Sequence, residues 1–482
     1  MSNLPALITL LIYSGVLFGI GFWAARRMKS QEDFLLGGRS LGPWVAGLAY
    51  AASSSSAWVL LGFSGFVYVA GPSALWMVPG IIAGYAVVWL WSGPILQSSS
   101  RAANQLTLTE FLAQYASNDM AKWIRILASI LIAICFSFYV AGQFQGAGIA
   151  INDLFATGFA PGVLIGALVI LAYVFLGGFL AVSITDTIQG LLMAIVAIVL
   201  PAVALVEAGG FGGLGQAMAA SSPAYGDVVG GRTGFAALGF VLGLSATGFG
   251  ALGQPHLVAW IMATKDRSAR IKGAMVAMTW AALVFAGMAI LGLSGRAILG
   301  SDAAPESVFF SLADNLLPGV MAGIVAAATL SAIMSTVDSQ LLVAGGAVSH
   351  DLGLGRAFGG RQVLVSRLAI LGVCVIAILL TFLAPSSIFQ RILFAWVALG
   401  AAFGPIVVAR TLGLKPSGAV VLSAMATGFG LAVAYEVGWI GSGPGAMWKT
   451  IGPWVGAFVA MSLVGLLGKS RLSHELGLGD GD

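Results

Sequence analysis

Residues 51–58 read AASSSSAW. Four consecutive serines stand inside a long apolar segment, with Leu48 ahead of them and VLLGF (59–63) behind. Serine hydroxyls compete with the backbone for hydrogen bonds and so favour an interruption in a helix. At membrane depth an interrupted helix is tolerated only where the freed backbone groups line a cavity or are buried in protein. Carbonyl and hydroxyl oxygens are also the ligands a hard cation such as sodium takes. The plainer alternative is an unbroken helix whose serines allow close packing on a neighbour. A second segment weighs against that alternative. Residues 243–256 read GLSATGFGALGQPH, with Gly248, Gly250, Gly253 and Pro255. The two segments are spans 2 and 7 of the chain, so they cross in opposite directions. Two five-span repeats of inverted topology produce that relation, and paired broken segments point to a transporter binding site near mid-membrane.

The rest of the chain is a membrane sequence. Of its 482 residues 59% are hydrophobic and only 8% are charged, against about 25% charged in soluble proteins. Its mean hydropathy is +0.99. The apolar runs are continuous and long, which excludes a barrel of alternating strands. A net charge of +4 needs no nucleic acid to explain it, because short cytoplasmic loops of membrane proteins are rich in Lys and Arg. Cys135 and Cys374 lie in apolar runs, and His256, His350 and His474 are scattered. No disulfide framework or histidine metal cluster is legible.

Runs of about 20 apolar residues mark candidate spans. About thirteen are expected, near 5–25, 42–69, 74–97, 123–150, 161–181, 183–207, 235–262, 273–298, 316–348, 363–383, 387–410, 417–438 and 448–468. The first has no Lys or Arg before it and Arg26 and Arg27 after it, the reverse of a cleavable signal peptide. With the N-terminus outside, eighteen of the 22 Lys and Arg residues fall on the cytoplasmic side, and only Arg232, Arg296, Arg391 and Lys449 fall outside. That bias supports an odd number of spans and a cytoplasmic C-terminus. The expected organisation is a first span and loop (1–41), a first five-span repeat (42–207), a second repeat with its external linker (208–410), and two further spans with a short tail (411–482).

Two acidic residues fall within apolar runs, Asp186 at the start of span six and Asp338 inside span nine. Intramembrane charges are costly and commonly serve an ion or proton path; for Asp186 a helix cap near the cytoplasmic face is the simpler alternative. Ala332, Ser335, Thr336 and Ser339 recur at three- and four-residue spacing and share a helix face. Such a stripe serves either close packing or a cation. Trp58 and Tyr139 are candidate walls of a solute pocket. GGRSLG (37–42) lacks the lysine of a phosphate-binding loop, and no catalytic Ser/His/Asp order is present. An enzyme is not expected, so active transport would draw on an ion gradient.

Several motifs resemble one family. FLLGGRSLGPWVAGLA (34–49), GGFLAVSITDTIQG (177–190), GQPHLVAWIMA (253–263), IMSTVDSQLLV (333–343) and GAAFGPIV (400–407) are similar to the sodium:solute symporter family, and in particular to its sodium/proline symporters. The resemblance implies an all-α membrane fold of leucine-transporter type: an inverted five-helix repeat with broken helices in spans 2 and 7. It implies a main sodium site from carbonyls of Ala52, Ser55 and Ala332 with the hydroxyls of Ser335 and Thr336. Asp186, Asp338 and Ser339, with Ser335, would make a second cation site. The solute pocket would use Ser54, Trp58, Tyr139, Thr247, Ala251 and Pro255. Three positions depart from the proline symporters, which carry aspartate at Ser54, tryptophan at Thr247 and tyrosine at Ala251. The first loses a charge that Asp338 is expected to restore from across the site. The other two are expected to leave room for a solute bulkier than proline.

The expected function is sodium-coupled symport of a small organic solute, proline first, across a bacterial inner membrane. Another amino acid, a monocarboxylate or a larger solute is the alternative within the class. A membrane sensor acting with a signalling partner is the alternative outside it.

Overall fold

A computed structural model describes residues 4–26, 31–175, 178–384 and 386–475. Arg27 and Lys29 of the charge pattern lie outside the described residues, as do the side chains of Lys469, Arg471 and His474. No strand occurs among the described residues, only a single bridge between Leu41 and Thr264. The principal helices are α1 (Leu4–Ala25), α2 (Pro43–Ala57), α3 (Met77–Ala86), α4 (Asn118–Phe155), α5 (Phe159–Val174), α6 (Phe179–Glu207), α7 (Gly234–Ala246), α8 (Pro255–Met262), α9 (Arg267–Leu299), α10 (Gly319–Gly346), α11 (Gln362–Leu383), α12 (Ile388–Thr411), α13 (Gly418–Glu436) and α14 (Met447–Glu475). The helical path that α2 begins runs from Pro43 to Ala102 and turns back at Gly71, whose φ is +63°. Among the described residues, ten helical stretches, this path among them, are long and apolar enough to cross a membrane.

Both suspected interruptions are present. In the first, Ser56 leaves the helix with φ 44° and ψ −168°, and a π-helical stretch, Trp58–Phe63, follows. In the second, α7 and α8 are separated by a tight 3-10 stretch, Thr247–Gly253, and by extended Gln254. Pro255 opens α8 at a position where its missing N–H costs nothing. The two broken segments are joined at one end. Leu41 N–H donates to Ala263 O at 3.1 Å, and Lys265 N–H donates to Leu41 O at 3.0 Å.

α2 packs on α6, α9 and α10, and the Thr247–Gly253 stretch packs on α3 and α12. The second contact is backbone to backbone. A Cβ on Gly84 would lie 2.0 Å from Gly248 O, and one on Gly248 would lie 1.8 Å from Gly80 O. Glycine at both places is therefore a condition of the fold. α10 is buried along most of its length, including Ser335, Thr336, Asp338 and Ser339. A hydrophilic stripe buried on every side carries different information from one facing lipid: its partners are protein.

Candidate functional site

Each serine of the opening run has its own role. Ser53 faces α10: its hydroxyl is 2.6 Å from that of Ser339, and its carbonyl accepts from Thr336 Oγ1 at 2.9 Å. Ser54 turns the other way and hydrogen-bonds the Tyr85 hydroxyl, while its carbonyl accepts from Trp58 Nε1 at 3.1 Å. Ser55 Oγ is buried with no hydrogen-bond partner. Ser56 sits at the break. Its hydroxyl accepts from Gln143 Nε2 at 3.1 Å, and Gln143 Oε1 accepts from Ala57 N–H, also at 3.1 Å. One amide on α4 thereby satisfies a backbone donor and a hydroxyl at the interruption, and lone buried polar groups are what such a break must avoid.

On the α10 side, Ala332 O lies 3.2 Å from Thr336 Oγ1 and 3.3 Å from Ser335 Oγ. Ala332, Ser335 and Thr336 thus form an oxygen cluster against the segment that ends in the break. Ser53 is missing from the expected ligands although it hydrogen-bonds α10 through both its hydroxyl and its carbonyl. The run of serines carried its signal, but four adjacent hydroxyls leave the facing one undecided until the break fixes the helix rotation.

One turn further along α10, Ser339 N–H donates to Asp338 Oδ1 at 2.6 Å. The Asp338 and Asp186 side chains are close enough for their charges to act on one another. Asp186 lies two turns inside α6 and is wholly buried, which rules out the helix-cap reading. Neither of its oxygens meets a hydrogen-bond donor in bonding geometry. Tyr13 of α1 hydrogen-bonds Ser331 on α10 and reaches Gln189 on α6. Sequence reading missed Tyr13 and Gln189, which lie in otherwise apolar runs.

Two features of the structure bear on the pocket expected from sequence. First, the Ser54 hydroxyl engages Tyr85, while Asp338 accepts from Ser339 N–H on α10. Second, the space left by Thr247 is taken. Trp396 of α12 donates its indole N–H to Thr247 O at 2.7 Å, and a Cβ on Gly250 would lie 2.2 Å from that same nitrogen. Ser54, Trp58 and Thr247 do share a cavity, with Tyr85, Phe389 and Trp396, but its volume is only about 20 Å³. Tyr139, Ala251 and Pro255 do not line it. Tyr139 is fully buried against His256, Ala251 is fully buried, and Pro255 borders a separate cavity of about 30 Å³ near Thr107 and Asp351.

A vestibule of about 670 Å³ adjoins the small cavity, sharing Thr247, Phe389 and Leu393 with it. Phe389 stacks on Phe66 at 5.2 Å between ring centroids and leans on Trp58 at 6.4 Å. It forms the partition between the two spaces. Glu306 lines the vestibule and accepts from Ile388 N–H at 2.5 Å. Burial raises its carboxyl above the usual range, and hydrogen bonds from Ile388 and Phe389 oppose the shift.

Two broken helices of opposite direction, an oxygen cluster at one break, and a vestibule leading to a closed pocket at both define a secondary transporter. The family model for the sodium:solute symporter family matches residues 34–415. The chain belongs to that family. It is 31% identical to the sodium/proline symporter of Escherichia coli K12, over 97% of this chain and 94% of that one. It is 33% identical to a high-affinity proline transporter of Bacillus subtilis 168, over 80% of this chain and 83% of that one. Among solved structures, a Na⁺-coupled sialic acid symporter superposes with a TM-score of 0.80 at 15% identity, covering 96% of this chain and 98% of its own. A nucleobase-cation-symport transporter superposes at 0.58 and 12% identity, covering 93% and 96%. The leucine-transporter-type architecture expected from the motifs is therefore the fold of the chain, and its cargo includes sodium.

Proposed function

We propose that the protein imports proline with sodium across a bacterial plasma membrane. The observation that carries this reading is the meeting of the Ser53–Ser56 break with Ala332, Ser335 and Thr336, in a chain whose full-length relatives are named as proline symporters. Sodium takes carbonyls of Ala52, Ser55 and Ala332 and hydroxyls of Ser335 and Thr336; a second cation lies between Asp186 and Asp338, beside Ser335 and Ser339. Adjacent buried carboxylates repel strongly in a low-dielectric interior, and a bound cation relieves the repulsion. The solute binds at the aromatic cavity of Trp58, Tyr85, Phe389 and Trp396 beside Ser54 and Thr247. These walls favour a compact, partly apolar solute and support proline over a larger one. Purified protein in proteoliposomes is expected to accumulate proline under an inward sodium gradient and not without one. Accumulation of an unrelated solute under the same gradient, with proline excluded, overturns the substrate assignment.

The thirteen-span topology, with the N-terminus outside and the C-terminus cytoplasmic, is part of the same proposal and rests on the charge bias. A single cysteine placed at Arg267 is expected to resist an impermeant thiol reagent in intact cells. One placed at Arg232 is expected to react. The opposite pattern inverts the topology.

A further inference from the structure

The end of the ion-bearing helix path holds a second cluster, on the side of the protein rich in Lys and Arg. After Gly346 the chain continues as a π-helical turn, Ala347–Asp351, and meets the short helix Leu108–Ala113. His350 Nε2 lies 2.9 Å from Glu110 Oε1. One ligand atom from each of Glu110, His350 and Asp351 lies within 4.8 Å of the others.

The carboxylates are oriented from behind. Glu110 Oε2 accepts from Leu106 N–H at 2.7 Å. The Thr107 hydroxyl donates to Asp351 Oδ1 at 2.9 Å and accepts from Glu110 N–H at 3.1 Å. Outer hydrogen bonds of this kind fix the first-shell ligands of metal sites. A tetrahedral site with bonds of about 2.0 Å holds its ligand atoms about 3.3 Å apart. One pair is already closer than that, and small side-chain rotations bring in the third. Imidazole beside two carboxylates selects zinc and its neighbours over sodium or calcium, which take oxygen. Asp351 and Thr107 also border the small cavity that reaches Pro255 and Ala259 of α8, the inner arm of the second broken segment.

We propose that Glu110, His350 and Asp351 bind a divalent transition metal of the zinc type, which ties the end of the α10 path to the Leu108–Ala113 helix and slows transport. The sodium ligands are not involved, and binding is measurable whichever solute is carried. A metal that binds one arrangement of two elements holds them in it by mass action.

The test uses the full chain without an affinity tag, titrated with cobalt chloride in detergent. Visible absorption bands of four- or five-coordinate cobalt are expected, and zinc chloride should displace them. His350→Gln and Asp351→Asn should each weaken cobalt binding tenfold or more, while His474→Gln should leave it unchanged. In proteoliposomes zinc chloride should slow sodium-driven uptake by the wild type, EDTA should restore it, and His350→Gln should be insensitive at the same zinc concentration. Absent cobalt bands, bands that persist in both His350→Gln and Asp351→Asn, or bands lost in His474→Gln overturn the site. Full transport by wild type with zinc bound overturns the restraint.

Discussion

Asp338→Asn is expected to raise the sodium concentration for half-maximal uptake at least tenfold, and Asp186→Asn to do the same. A cation about 4 Å from a carboxylate gains about 4 kcal/mol at an effective dielectric near 20. Desolvation offsets part of it, but a loss of only about 1.4 kcal/mol is already tenfold. The pair is buried at the contact of α6 and α10, away from bulk water that would screen it. Adding Ser54→Asp to Asp338→Asn is expected to restore little, because Ser54 engages Tyr85 rather than the Asp186 cluster. Sodium titrations of uptake on the two single mutants and the double mutant decide the matter. Half-saturation like the wild type's in both single mutants would remove the pair from the ion path, and full rescue by Ser54→Asp would reinstate a shared site.

Gln143→Leu is expected to cut uptake at least tenfold while Ser56→Gly keeps most of it. Leucine removes the Gln143 acceptor from the Ala57 N–H and the Gln143 donor from the Ser56 hydroxyl, which keeps the Trp58 N–H, and a buried group left unmet costs about 1–3 kcal/mol. Glycine at 56 loses the hydroxyl but adopts φ near +44° without the penalty that serine bears there. Uptake together with thermal stability in detergent distinguishes the two variants. Wild-type uptake by Gln143→Leu would show that the break stands without its amide.

The all-helical membrane fold and both interruptions were legible because they rest on local chemistry: unbroken apolar runs, four serines, and glycines ahead of Pro255. The hydroxyl stripe of α10 was legible from its spacing alone. What sequence does not carry is which buried groups meet. Trp396 lies 149 residues from Thr247 yet fills the space beside it, so the loss of an aromatic at one position did not translate into a larger pocket. Gln143 reads as one polar residue in an apolar helix until the Ser56 break lies opposite. His350 looked isolated from the other histidines, and its partner Glu110 is 240 residues away. Pro255 was placed at the solute by family likeness, and the structure sets it on the cavity beside Thr107 and Asp351.

The account stands on coupling at the meeting of the first break with α10. Radioactive sodium influx into proteoliposomes, measured with and without external proline, tests it most directly in the wild type and in Ser335→Ala and Thr336→Ala. Proline should accelerate sodium influx in the wild type, and both variants should need far more sodium for the same acceleration. Sodium influx that ignores proline in the wild type, or that responds to it in both variants as it does in the wild type, would contradict the account.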